Sequence, residues 1–164
     1  MELPKDCNYY EIIFMNADLY SLGQSAFAKL LANMTATNYK SFEKQYKEYI
    51  IDDIIVQNYN NQETKILRLT PKDIIDRITY RIIGYQKSKL TALNHPSTTY
   101  IYNTLYIKKL TFRISNRIYI NFEIALDKDE EKTYKVYINY NHDTNVDMSV
   151  ITEQLKGLMH LFLE

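Results

Sequence analysis

The sequence predicts an α+β domain that is mainly β, with a helical segment near the N terminus and an amphipathic helix at the C terminus. Strand-like segments joined by short polar turns follow one another from residue 64 onward. The spacing of apolar residues then becomes helical after residue 147. Apolar residues make up 46% of the 164 positions, which is enough for a packed core and argues against disorder.

The N-terminal third predicts one strand and two helices. Residues 9–15 form a short apolar run of strand length. Apolar residues recur at helical spacing across residues 22–34, with Ser25 as a candidate N-cap. A second helical pattern covers residues 42–50, where aromatic side chains fall on one face. The Asn-rich residues 58–61 are typical of a turn.

The rest of the chain predicts consecutive strands and one helix. The short polar turns near residues 115 and 129 favour an antiparallel meander over parallel βαβ units. Gly84 interrupts a strand pattern and indicates a bulge or bend. Asp147 or Ser149 can cap the last helix. The candidate strands cover residues 65–69, 76–86, 99–114, 117–126 and 132–140.

Composition excludes several kinds of active site. The single cysteine, Cys7, rules out a disulfide framework and a multi-cysteine metal site, and indicates an intracellular protein. The three glycines lie far apart, so no phosphate-binding glycine loop can be recognised. The three histidines fall in separate predicted elements. We therefore expect no catalytic residue, metal or cofactor, and, since no apolar run is long enough to cross a bilayer, no membrane segment.

Charge is unevenly spread along a chain whose formal net charge is zero. Between Lys65 and Arg117 there are eleven basic and two acidic side chains, which leaves +9, and the remaining residues sum to −9. One interpretation is a basic, tyrosine-rich sheet face that contacts single-stranded nucleic acid. The other is ordinary solvated strand faces. The candidate contacts are Arg81, Lys87, Lys89, Lys108, Lys109, Arg113 and Arg117.

The C-terminal helix carries a broad apolar stripe. It can simply cover one end of the sheet, or it can extend beyond the core and pack against a helix of a partner protein. The second interpretation predicts a partner interface formed by Ile151, Leu155, Leu158, Met159 and Phe162.

These segments together resemble an OB-fold family. The chain is similar to the smallest subunit of the CST (RPA-like) telomere complex, including the small CST-like subunit of ciliate telomerase holoenzyme. The matched features are Leu3-Pro4-Lys5 followed by Tyr9-Tyr10, the strand at residues 78–86 with Gly84, and the closing helix. The resemblance implies an OB-like antiparallel five-stranded β-barrel. Residues 1–63 would then pack on a barrel of residues 64–146, with residues 147–164 as the partner helix of the same domain.

The resemblance also implies a function without catalysis. The chain would be a subunit of a heterotrimer, joined by its last helix to a middle OB-fold subunit. It would bind single-stranded DNA weakly or only within the complex, and would act indirectly with telomerase and polymerase α–primase in telomere C-strand synthesis. Its location would be the telomeric region in the nucleus.

Two other interpretations remain open. One is a small viral-type host-interaction protein with a β-sandwich and no nucleic-acid role. The other is a hydrolase with a barrel active site that depends on a buried carboxylate. Strands with alternating Glu and Lys would suit a triphosphate-tunnel hydrolase, but no predicted strand contains a Glu-x-Glu pair. We therefore expect that the chain is not an enzyme.

Overall fold

The computed structural model describes residues 1–16, 21–51, 54–67, 70–86, 101–142 and 147–163. These residues form nine strands and two helices. In chain order the elements are β1 (Tyr9–Phe14), α1 (Gln24–Thr35), β2 (Lys40–Ile51), β3 (Ile54–Tyr59), β4 (Gln62–Leu67), β5 (Asp73–Asp76), β6 (Tyr80–Tyr85), β7 (Ile101–Arg113), β8 (Ile118–Leu126), β9 (Lys132–Asn141) and α2 (Met148–Leu163).

The strands form one antiparallel sheet in the order β4-β3-β2-β7-β8-β9-β1-β6-β5. The prediction of an OB-like five-stranded barrel is therefore wrong, because β1, β2 and β3 from the first 63 residues are strands of the same nine-stranded sheet. A β-sandwich is also not formed, since the described strands belong to a single sheet rather than to two packed ones. No helix in the described ranges is long and apolar enough to span a bilayer.

The meander of β7, β8 and β9 agrees with the sequence prediction. Two hairpins fix the register, so that Phe112 lies opposite Ile120 and Phe122 lies opposite Val136. The predicted turn at residues 58–61 is confirmed as a tight hairpin between β3 and β4. Its central residues Asn60 and Asn61 have φ of 50° and 63°, a conformation that Asn tolerates well.

The predicted helix at residues 42–50 is a strand instead. This segment forms β2 and pairs with β3 on one side and β7 on the other. Phe42, Lys44 and Tyr46 alternate with residues on the opposite face, as strand geometry requires. Aromatic and charged residues occur on both faces of β2, so the sequence lacks the alternation of apolar and polar residues that identifies a strand.

One face of the sheet packs against the two helices and forms the main core. Ile120, Val136 and Ile138 on the central strands are fully buried. Phe27 of α1 contacts this face, with its ring centroid 5.7 Å from that of Phe122. Complete burial of an aliphatic or aromatic side chain stabilises the fold by about 1.5–3 kcal/mol. The two helices therefore cover the apolar face of the sheet.

The C-terminal helix α2 belongs to this core. Asp147 caps it, because Asp147 Oδ1 accepts a hydrogen bond from the Ser149 backbone N–H at 3.0 Å. Four of the five residues assigned to a partner interface are buried within the chain itself, which leaves them no free surface for a partner. These are Ile151, Leu155, Leu158 and Met159, and the side chain of Phe162 lies outside the described part.

Gly84 is required by a close approach rather than by a bulge. It lies within β6, paired with Tyr10 of β1 and Asp73 of β5. A Cβ atom built at Gly84 would lie 2.5 Å from Cys7 Sγ and 2.9 Å from Pro4 Cβ. The N-terminal segment therefore packs directly over the bare backbone of β6.

Candidate functional site

The sheet face opposite the helices carries charged and hydrogen-bonding side chains, and we call it the polar face. Residues directly opposite each other in neighbouring strands share a face. The pairings Lys135–Glu123, Glu123–Lys109 and Lys109–Lys44 therefore place these four side chains side by side across β9, β8, β7 and β2. We call them the lysine row. It brings three cations and one carboxylate together from segments far apart in the sequence.

The polar face curves around a cavity of about 260 Å³. Phe42 on β2 and Tyr9 on β1 both line it, although β7, β8 and β9 lie between those two strands. In a flat sheet, four strand spacings would separate them by about 19 Å. The sheet must therefore curl. The lining residues are Tyr9, Phe42, Lys44, Lys109, Thr111, Tyr119, Asn121, Asn139 and Asn141.

Each lysine of the row lies near an aromatic ring of the same face. Lys109 Nζ lies 5.4 Å from the Tyr46 ring centroid, and the corresponding distances are 5.8 Å for Lys44 and Phe42 and 5.1 Å for Lys135 and Tyr137. These separations fit cation–π contacts. Lys109 is half-buried, and this burial lowers the pKa of its ammonium, an effect that Lys44 adds to and Glu123 opposes.

Three carboxylates face the same side of the sheet, in different surroundings. Tyr137 OH donates a hydrogen bond to Glu123 Oε1 at 3.3 Å. The oxygens of Glu11 accept from two tyrosines, Tyr9 at 3.3 Å and Tyr85 at 3.4 Å. Burial raises the pKa of all three hydroxyls, so they stay protonated donors at neutral pH. Both oxygens of Glu11 are therefore occupied, whereas Glu123 lies between two lysines.

The third carboxylate, Glu48, lies further along β2. Gln57 Nε2 donates to Glu48 Oε2 at 3.1 Å. Burial raises the pKa of Glu48, and the hydrogen bond from Gln57 opposes that shift. Nowhere in the described part of the chain do three His, Cys, Asp or Glu side chains come together in a group that could hold a metal ion.

A chain of hydrogen bonds crosses the cavity floor from β7 to β1. Thr111 Oγ1 donates to Asn121 Oδ1 at 2.8 Å, and Asn121 Nδ2 donates to Asn139 Oδ1 at 2.7 Å. Asn139 Nδ2 in turn donates to the Tyr9 hydroxyl. Because Tyr9 donates onward to the Glu11 carboxylate, which can only accept, the direction of every bond in the chain is fixed.

By strand register, three of the predicted nucleic-acid contacts, Arg81, Lys109 and Arg113, share the polar face. Lys109 lines the cavity. Arg81 pairs with Asp76 through two nitrogens, and Arg113 bonds to Asn116 in the turn after β7. Lys108 lies on the opposite face, 3.5 Å from Glu43. The backbone carbonyl of Arg117 accepts from Asn141 N, and Lys87 and Lys89 lie outside the described residues.

Lys44, Glu123 and Lys135 were not among the site residues predicted from the sequence. Their grouping depends on strand register, not on spacing along the chain. The two turns between β7, β8 and β9 carried the signal for Glu123 and Lys135, because each turn sets which residues of the neighbouring strands lie opposite each other. No turn sets the pairing of Lys44 with Lys109, because β2 and β7 are not consecutive strands.

Solved structures of a viral enzyme domain share this fold. The RNA triphosphatase domain of the trifunctional mimivirus mRNA capping enzyme matches with a TM-score of 0.66 at 11% identity, over 96% of this chain and 90% of that chain. A triclinic structure of the mimivirus capping enzyme triphosphatase gives 0.66 at 12% identity, over 97% and 90%. No family model and no curated protein matches the sequence.

This likeness corrects the telomeric interpretation. The chain has the fold of a triphosphatase domain over almost its whole length, so the expectation of a non-catalytic OB-fold subunit is wrong. The expected partners are wrong for the same reason: a middle OB-fold subunit of a CST-like heterotrimer, telomerase and polymerase α–primase. The nuclear, telomeric location stays a prediction. At 11–12% identity, the comparison shows a common fold.

Proposed function

We propose that this chain is a phosphohydrolase that removes the terminal phosphate from the 5′-triphosphate end of RNA. The lysine row is the observation that carries the proposal. Three ammonium groups and one carboxylate in a row across four strands, on the polar face of a curved sheet, provide the charge that a triphosphate requires. The shared fold with the mimivirus RNA triphosphatase domain supports the same reaction class.

Lys44 and Lys109 are placed to bind the phosphates. Both line the cavity. Because Lys109 is half-buried, its charge is screened less than it would be in bulk water. Phosphoryl transfer spreads negative charge over the oxygens of the transferred group, and fixed cations stabilise that charge. Positioning and electrostatics therefore account for most of the expected rate acceleration.

Glu123 is the carboxylate best placed to accept a proton from water. It lies directly opposite Lys109 and Lys135, and Tyr137 fixes one of its oxygens. Glu11 is less suitable because tyrosine hydroxyls occupy both of its oxygens. In the reaction, the water oxygen bonds to the γ-phosphorus and the bond from that phosphorus to the β–γ bridging oxygen breaks. Glu123 takes the proton, and the products are inorganic phosphate and a 5′-diphosphate end.

The test is phosphate release from RNA with a labelled γ-phosphate, supplied as its Mg²⁺ complex. The unmodified chain should yield inorganic phosphate and 5′-diphosphate RNA. Lys109→Ala and Glu123→Gln should each lower kcat/KM about 100-fold. Lys108→Ala is the matched control, because Lys108 is adjacent to Lys109 on β7 and faces away from the cavity. The kcat/KM of this variant should stay within twofold of that of the unmodified chain.

Two outcomes would contradict the proposal. One is the absence of phosphate release by the folded, unmodified chain. The other is an equal loss of activity in Lys108→Ala and Lys109→Ala, which would separate the reaction from the polar face.

A further inference from the structure

The cavity has two chemically different walls. Lys44 and Lys109 supply positive charge on β2 and β7, whereas β8 and β9 supply the neutral amides of Asn121, Asn139 and Asn141. Three rings, those of Tyr9, Phe42 and Tyr119, and the side chain of Thr111 complete the lining. A cavity built only for inorganic phosphates has little use for aromatic rings, and amides that both donate and accept suit a ligand with acceptors and donors of its own. This combination suits a ligand with an anionic part and a flat, uncharged, hydrogen-bonding part.

The two central amides keep unused hydrogen-bonding capacity. Each Asn side chain offers two N–H donors and two acceptor lone pairs. Among the described residues, the series of hydrogen bonds that runs from Thr111 to Tyr9 uses one donor and one acceptor of Asn121, and likewise one donor and one acceptor of Asn139. Each amide therefore keeps one N–H and one lone pair for a ligand, and its orientation is already fixed through Glu11.

A donor beside an acceptor on a rigid amide is complementary to the edge of a nucleobase. Asn recognises bases in this way, by giving one hydrogen bond and accepting another. Rings such as that of Tyr119, which is half-buried on the cavity wall, provide faces on which a base stacks. The row containing Asn121 and Thr111 lies two residues from the lysine row, about 7 Å along the strand, which leaves room for a ribose.

We infer that the cavity binds the first nucleoside of its substrate, with the base against Asn121, Asn139 and Tyr119 and the phosphates at Lys44 and Lys109. The phosphate half of this inference rests on the proposed function. The nucleoside half rests on the amides and rings. It makes the site selective for nucleoside 5′-triphosphates over inorganic tripolyphosphate.

Calorimetric titration of the full chain with ATP and with inorganic tripolyphosphate tests this inference without requiring turnover. Tripolyphosphate carries at least as much negative charge, so electrostatics alone would favour it. We expect ATP to bind at least tenfold more tightly, because stacking and the amide contacts are available only to the nucleotide. Parallel titrations with GTP, CTP and UTP identify the preferred base.

Matched variants assign the effect to the cavity. Tyr119→Ala and Asn139→Ala should each bring the affinities for ATP and tripolyphosphate to within about threefold of each other. Tyr119→Phe, which keeps the ring, should retain the preference. Tyr106→Ala, which removes an exposed tyrosine from the opposite face of the sheet, should also retain the preference for ATP. Thermal unfolding confirms that each variant is folded.

The outcomes separate this inference from the proposed function. Equal affinity of the unmodified chain for ATP and tripolyphosphate overturns the nucleoside subsite, as does a preference for ATP that survives both Tyr119→Ala and Asn139→Ala. Selective binding of ATP without phosphate release supports the subsite and contradicts only the hydrolysis. No binding of either compound overturns both.

Discussion

At the scale of single residues, burial shifts the pKa values of the basic and acidic groups of the polar face in opposite directions. Burial lowers the pKa of Lys109 and raises that of Glu48, because a partly dry site disfavours the charged form of each. A fold that keeps such groups half-buried loses some stability by doing so. Such a loss of stability is typical of binding sites, where a half-buried charge interacts strongly with a ligand of opposite charge.

Glu48 gives a pH dependence whose sign follows from its surroundings. Its pKa in the folded chain lies above its ordinary value of 4.5, so between these two values the folded state binds more protons than the unfolded state. Stability therefore falls as pH rises through this window, and the loss is complete above the folded-state pKa. Glu48→Gln removes the titration and can still accept the hydrogen bond from Gln57.

We therefore expect the unfolding temperature of Glu48→Gln, relative to that of the unmodified chain, to be higher at pH 8 than at pH 4. Thermal unfolding followed by circular dichroism at the two pH values measures this difference. Glu43→Gln, on the exposed part of the same strand, controls for the loss of one negative charge. A difference that is constant with pH, or larger at pH 4, would show that burial does not control Glu48.

At the scale of elements, α2 closes the helix-packed face of the sheet. Leu155 is completely buried on this helix, whereas Leu161 is 44% exposed. The apolar stripe of the helix was sufficient to predict that α2 exists and which face is apolar. It could not show that the sheet behind the helix has nine strands, and such a sheet offers more apolar surface to cover than a five-stranded barrel.

Leu155→Ala should destabilise the chain by about 2–5 kcal/mol, because it removes a completely buried side chain from a packed core. Leu161→Ala changes the same residue type on the same helix and should cost less than about 1 kcal/mol, since much of that side chain already contacts water. Urea unfolding of the isolated chain measures both values. Equal, small effects would mean that α2 is not part of the chain's own core.

The strands show which parts of a fold a sequence reveals. The β7–β8–β9 meander was predictable because one face of each strand is buried in the core while polar turns mark the strand ends. The segment that forms β2 was assigned to a helix because Phe42 and Lys44 face a polar cavity, so apolar and polar residues do not alternate along it. Lys109 was recognised as a cation on a strand, but its neighbours Glu123 and Lys135 became visible only through strand register.

At the scale of the whole molecule, one curved sheet separates two environments. The helices cover its apolar face. The polar face carries the lysine row, the cavity and the hydrogen bonds that run from Thr111 to Tyr9. The charge separation seen along the sequence becomes a shared surface only in part. Arg81, Lys109 and Arg113 share the polar face by register, and Arg81 pairs there with Asp76, whereas Lys108 lies on the other face beside Glu43.

The central claim is that the polar face is the ligand-binding surface, and a nuclear magnetic resonance titration tests it most directly. Tripolyphosphate added to the ¹⁵N-labelled chain should shift the backbone amides of Lys44, Lys109 and Glu123 most strongly. The amides of α1 and α2 should change little, because the sheet lies between the helices and the ligand. Saturable shifts confined to the lysine row and the cavity are the predicted result. Shifts centred on the helices, or none at millimolar ligand, would contradict the account.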